Sequence, residues 1–485
     1  MSMIPFIGFT PDIDPTTPGA IVSCSQIVPT LKGIAAAPTP VDAGYGALPA
    51  ACRGAVSTIR LDGQRRLLAG TQTKLYELAS GTFADVSKAG NYTGSPENIW
   101  RFGQFGNVSL AANQTERIQS SITGAFADIA TAPKAKFLET AAGFVMAMGI
   151  NDATVGGDRP DAWWCCNIYD YLTWTPALTN QAAWGYLLDT PGAITGQKRL
   201  GTNIVAYKER SIYIGAYAGP PVIWQWSLIS SDIGALSQEC IVDTGVAHLF
   251  ISQDDFWIFD GSRPQPIGAP VREWFFRNSD AAYRYKTKGY YDRIKNRVWW
   301  YFCGSGSNGV ISDALVYNVS TDKWGYARLT IQTPVNAITP DISWDQWPPG
   351  PATNYENIID VPFDSSYFDT NGDQIAVFGA DNALKTLNGP AAASSITTGD
   401  IGDDTAYSTI TSVKPRFLLQ PASATLTNYT KAYEGDTAVA RGTSAKNGNQ
   451  FDVLASGRYH ALKLDMTGDY EIVGVTPILQ ADGEN

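Results

Sequence analysis

From Ala55 onward the chain is written in short runs of β-branched and aromatic residues, broken about every 8–12 residues by pairs of Gly, Asn, Asp or Ser. Such a text pairs strands serially, each small sheet burying its faces only against its neighbours. The runs group into similar units. A first unit runs from Arg66 to Val86 and a second from Trp100 to Ala130, and both end in Phe-Ala-Asp. A third continues to Pro176 through KFLET, FVMAMGI, AWWCCN and LTWTP; a fourth spans Lys198 to Ser230, a fifth Ala247 to Gly268, and a sixth Lys288 to Leu329. A partial seventh holds QIAVFG and ALKTLNG. Open sheets in series would leave strand edges unpaired, whereas radial closure protects them. The reading is an all-β chain with a β-propeller of about six or seven blades over residues 55–390.

Two flanks and one insertion complete the domain plan. Residues 1–54 carry Pro11, Pro15, Pro18, Pro29, Pro38, Pro40 and Pro49. Proline cannot donate to a ladder, so this stretch reads as an extended Pro-rich N-terminal arm. Beyond an Ala/Ser/Thr/Gly linker at 391–402, residues 391–485 alternate again and read as a C-terminal β-sandwich. Between 330 and 370 the pattern breaks into a loop insertion where Trp344 and Trp347 precede Pro348-Pro349. Two indoles are costly to leave in water, so Trp344 and Trp347 are the candidate interface residues: they either fold back on the propeller or meet another chain. Tyr317 to Trp324 has the spacing of a kelch-type hairpin, with an aromatic pair and a Thr-Asp turn.

Composition narrows the function classes. The chain is 44% apolar and 17% charged, enough for a large core, and its net charge of −11 disfavours a surface built to grip phosphates. Six cysteines lack Cys-x-x-Cys spacing and only two histidines exist, so no metal centre is expected. No apolar stretch is long enough to span a bilayer, and the first residues lack signal-peptide order. The expected place of synthesis is a reducing cytoplasm.

A search for chemistry finds no catalyst. His248 and His460 sit in strand-like text without a Gly-x-Ser-x-Gly elbow, and Cys303 to Gly309 is a hairpin tip rather than a phosphate loop. Asp369-Thr-Asn371-Gly-Asp373 is oxygen-rich but lacks the closing Glu of a calcium loop. Cys165 and Cys166 should face opposite sides of one strand as two buried thiols, and Asp254-Asp255 should sit in a turn. The expectation is no enzyme, no catalytic residue, no metal and no cofactor.

The hairpin NIVAYKERSIYIG (203–215), Gly234 after a polar turn, and the hairpin LFISQDDFWIFDG (249–261) occur in that order. This text resembles the tail nozzle, or tail hub, proteins of short-tailed bacteriophages. The resemblance extends to VPTLKG (28–33), LAGTQTKLYEL (68–78), the YLTWTP strand and SGRYHALKLDMTGDYEIVGVTPIL (456–479). It implies a structural virion protein of the tail, made in the host bacterial cytoplasm. It further implies a homohexameric ring below the portal and its adaptor, which gates and conducts genomic double-stranded DNA and carries fibres or a tail needle. Net acidity suggests a lumen that repels DNA and lets it slide. The alternative is a propeller module that binds or depolymerises host glycans, with aromatic loops stacking on sugar rings.

Overall fold

The computed structural model describes residues 2–337 and 374–482. Seven four-stranded antiparallel sheets form a β-propeller. Blade 1 runs outward from Gly54–Ile59 to Thr82–Asp85, blade 2 from Arg101–Phe105 to Ala127–Asp128, and blade 3 from Lys134–Ala141 to Ala183–Tyr186. Blade 4 spans Ile194–Leu200 to Ile223–Ser230, blade 5 Val242–Asp243 to Gln265–Pro266, and blade 6 Lys288–Asp292 to Lys323–Ile331.

The apolar runs explain why the sheets stand side by side. In Arg297–Phe302 every residue is buried, because both faces of the strand meet a neighbouring blade. Val298, Trp300 and Phe302 enter the core shared with blade 5, while Trp299 and Tyr301 alternate into the core shared with blade 7. Phe144–Asp152 does the same: Phe144, Met146 and Met148 face blade 4, and Val145, Ala147 and Ile150 face blade 2. An apolar cluster fills every gap of the ring, including the one between blades 7 and 1, where Phe378 and Leu384 meet Ala69 and Tyr76.

Blade 7 is assembled from both ends of the chain. Thr333–Ala337, Gln374–Phe378 and Leu384–Ala391 supply three strands, and Pro38–Asp42 pairs with the last of them as the outermost. The segment 1–54, expected as an extended arm, closes the propeller and also continues into a second sheet. Its prolines are compatible with this because Pro38 and Pro40 occupy an edge strand, where a missing donor costs no ladder bond.

The second body is a 13-stranded sheet that is nearly closed. Residues 394–481 form its centre, and Ile4–Pro5, Gly8–Phe9, Ala20–Ser25, Ile27–Pro29 and Ile34–Ala36 complete it. The expected sandwich of 391–485 is thus a composite of both termini. Val439–Asn447 turns the corner, pairing first with Ser423–Lys431 and then with Gln450–Gly457. Ile396, Leu426 and Leu464 on one layer face Val413, Phe451 and Ile472 on the other.

The sandwich is seated on the outer edge of blade 6. Lys323–Ile331 contacts Gly8–Phe9, Ala20–Ser25 and Ile27–Pro29. The approach is so close that a Cβ on Gly325 would lie 2.6 Å from the Ile27 carbonyl oxygen. Behind it Phe256 packs edge-on against Trp300, Trp324 and Phe275, the last carried by the helix Arg272–Asn278. The Tyr317–Trp324 hairpin forms with paired rings 4.8 Å apart, and Asp322 takes the left-handed turn at φ +54°. LTWTP is not a strand. Trp174 is buried in a loop that satisfies its indole N–H through the Tyr171 carbonyl, and Ala183–Tyr186 is the fourth strand of blade 3.

Ring closure is directly testable. Ala43 donates to the Leu384 carbonyl, so the neighbouring pair Asp42 and Lys385 is of the non-hydrogen-bonded kind, whose side chains lie closest. Asp42→Cys combined with Lys385→Cys should form an intrachain disulfide on mild oxidation, read by mass spectrometry of a protease digest. No cross-link would contradict closure by residues 38–42.

Candidate functional site

The first strand of each blade lies innermost, and neighbouring first strands touch all round the ring. Their amino-terminal ends open into an axial cavity of about 670 Å³. Charged side chains enter it at or just before these strands. Arg53 precedes the first strand of blade 1, Arg101 begins that of blade 2, Lys136 lies in that of blade 3, and Lys288 begins that of blade 6. Glu97, Glu239 and Lys286 come from the connections between blades.

Two struts cross the axis. Arg101 donates from Nε to Glu239 Oε1 at 2.8 Å, and its Nη2 lies 2.6 Å from the same oxygen. These residues belong to blade 2 and to the turn entering blade 5, on opposite sides of the ring. The guanidinium also donates to the Lys136 carbonyl at 2.9 Å and rests 4.8 Å from the Phe137 ring. Nearer the mouth, Glu97 accepts from the Tyr285 hydroxyl at 2.9 Å and from Lys286 Nζ at 3.3 Å. Burial would raise the Glu97 carboxyl, but these two donors together with the charge of Arg53 outweigh it and leave its pKa lowered. Tyr285 is pushed up to about 12 by burial and by its bond to Glu97. Nothing as wide as a DNA duplex can pass between such struts.

After both carboxylates are paired, Arg53, Lys136 and Lys288 remain without an ion-pair partner among the described residues. Lys288 is only 8% exposed. Burial lowers its pKa, with Arg53 and Arg101 pushing the same way against Cys52 and Glu239. Burial and then Arg101 likewise lower that of Lys136, against the opposing charges of Glu239 and Asp158, and its Nζ lies 5.3 Å from the Phe137 ring. Cys52 nearby is raised to about 11 by burial, so its thiol stays protonated at neutral pH. The wall is held rigidly: Gln238 accepts from the Gln197 amide at 2.5 Å and donates back to its carbonyl at 2.7 Å.

The residues singled out from sequence lie elsewhere. Trp344 and Trp347 fall outside the described residues, as does the Asp369 to Asp373 segment. His248 is buried in blade 5, its Nδ1 2.8 Å from the Tyr207 hydroxyl and its Nε2 2.9 Å from the Arg199 carbonyl. His460 is buried in the sandwich beside the Ser408 carbonyl. Burial lowers the pKa of both rings. Cys165 enters the core between blades 3 and 4 and Cys166 that between blades 2 and 3, so the thiols point apart. Asp255, in a turn of blade 5, pairs with Arg272 at 3.5 Å. Among the described residues no group of three His, Cys, Asp or Glu side chains could hold a metal ion. No helix of the described chain is long and apolar enough to cross a membrane.

Sequence reasoning missed the axial cations. Their signal is positional: a Lys or Arg recurs within a residue or two of where an innermost strand begins, which becomes visible once each unit is started on its inner strand.

No family profile matches the chain, and no curated protein matches it. Among solved structures it is similar to a chain of the Mitotic Checkpoint Complex, with 8% identity, a TM-score of 0.39, and 72% of this chain and 95% of that one covered. It is also similar to YCF48 from Cyanidioschyzon merolae, with 10% identity, a TM-score of 0.37, and 73% and 99% covered. A third is the Pan2 WD40 domain of Neurospora crassa, with 7% identity, a TM-score of 0.37, and 74% and 95% covered.

An ammonium buried without a partner is destabilising, so Lys288→Met should raise stability at pH 7 by about 1–3 kcal/mol in a buffer free of phosphate. The sign follows from the lowered pKa. The native state penalises charged Lys288 at neutral pH, and the penalty is released as pH rises through its folded pKa toward the ordinary value of about 10.4. Thermal melts should show variant and wild type converging between pH 7 and pH 10. A variant that melts lower at pH 7 would contradict this electrostatic account.

Proposed function

We propose that this chain is a structural virion protein: a tail nozzle subunit of a short-tailed bacteriophage, six copies of which form a ring below the portal and adaptor and conduct the genome. The observation that carries the reading is mechanical. The propeller axis is barred by the Arg101–Glu239 and Glu97–Lys286 struts, and the sandwich is fixed to blade 6 by a shared core. Such a rigid block offers a conduit between copies and none through itself.

The text that resembles nozzle proteins falls on both sides of that shared core. Residues 203–261 build blades 4 and 5, and residues 456–479 build two long strands of the sandwich. Exposed apolar side chains are available for subunit contacts, among them Leu61 in blade 1, Tyr169, Leu172 and Leu178 in the blade 3 loop, and Leu454 on the sandwich. The lumen expected to be acidic is the one between copies; the cavity inside one propeller is a separate, cationic space.

Particles assembled without this chain should fill with DNA and then lose it, and purified protein added back should restore retention, measured as nuclease-resistant DNA per particle. Normal DNA retention and infectivity in its absence would contradict the proposal. Binding or depolymerisation of host polysaccharide by the purified chain would favour the glycan reading instead.

A further inference from the structure

We propose that the axial cavity is a binding site for a phosphate-class anion, held by Arg53, Lys136 and Lys288. The inference stands apart from the nozzle reading, since it rests on the charges of one propeller.

The first support is the pairing just described. Five cations and two carboxylates face the cavity, each carboxylate is taken by one cation, and three cations are left over. They come from blades 1, 3 and 6, so they approach the axis from well-separated directions. The second support is Lys288 itself. Its ammonium reaches the cavity wall, yet it donates to no group among the described residues, and the side chain is more than nine-tenths buried. A charge held there without a counter-ion is costly. An anion held in the cavity supplies the counter-charge that these cations lack.

Charge and shape select the class of anion. Three positive groups lining one cavity match an anion with at least two negative charges and several acceptor oxygens, which a phosphate monoester or a pyrophosphate supplies. A single carboxylate is a planar monoanion and would leave two cations unmatched. The cavity is larger than one phosphate needs, and Ile99, Phe137 and Leu236 add apolar wall, as in sites for organic ligands. The shared chemistry is the phosphate group, whether inorganic or part of a nucleotide-sized molecule.

Isothermal titration calorimetry of the full chain in low-salt, phosphate-free buffer tests this with sodium pyrophosphate, ATP and citrate as probes. Pyrophosphate should bind one to one. Lys288→Met and Arg53→Met should each weaken it at least about tenfold, the loss of one charge-assisted contact. Lys32→Met, an exposed cation outside the cavity, should leave binding unchanged. Because Lys288→Met is expected to melt higher than wild type, its loss of binding would not be a folding defect. ATP binding tighter than pyrophosphate supports a ligand with an organic part on the apolar wall, and equal affinities support recognition of the phosphates alone. No binding of either phosphate probe, binding that survives Lys288→Met, or citrate binding as tight as pyrophosphate would overturn the proposal.

Discussion

Each blade is a sheet with two apolar faces and can bury both only if another blade stands on either side. Six of the seven gaps are filled by consecutive sequence; the seventh must bring the two ends of the propeller together. Pro38–Asp42 does this by adding the outer strand of blade 7, while Leu48 and Cys52 join the core between blades 7 and 1. The same N-terminal stretch has already contributed residues 4–36 to the sandwich, and the chain re-enters the sandwich at Ser394, just past the end of blade 7. The second body is therefore tethered by two strands of chain and by the Trp324 and Gly325 contact, which leaves it little freedom to swing.

Much of this architecture was legible in residue order. The units beginning at Trp100, Lys198 and Lys288 correspond to blades 2, 4 and 6 almost strand for strand, because runs such as RVWWYF can only be satisfied by burial on both faces. What stayed hidden was non-local. Nothing in PTPVD announces that it pairs with residues 385–391, and an edge strand with two prolines looks like a linker until its partner is seen. The same holds for VPTLKG, whose Ile27–Pro29 and Ile34–Ala36 neighbours serve a sheet built mainly from the far end of the chain. LTWTP misled for a different reason: its aromatic content was right for burial, but Trp174 is buried by a self-packed loop.

The axial site was least legible, because charges that meet on an axis are far apart in sequence. Arg101 and Glu239 are separated in sequence by blades 2, 3 and 4, yet they pair across the ring. The overall charge of −11 points away from anion binding, while the local balance inside the cavity favours it. Net charge describes how the whole surface behaves in solution; it says nothing about one enclosed space in which three cations outlast their carboxylates. The struts also separate two roles that a ring-shaped fold invites one to merge. The hole in the propeller is a small, barred, cationic cavity, and under the proposed nozzle role any route for a duplex has to be built between subunits.

The proposed nozzle role and that separation are tested most directly by a cryo-EM map of virions whose genome encodes this chain, reconstructed without imposed symmetry. Six copies around a duplex-wide channel are the expected result, with every propeller axis off the DNA path and closed by Arg101 and Glu239. DNA density threading a propeller axis would contradict it. So would copies hanging peripherally in threes, or particles from which the chain is absent.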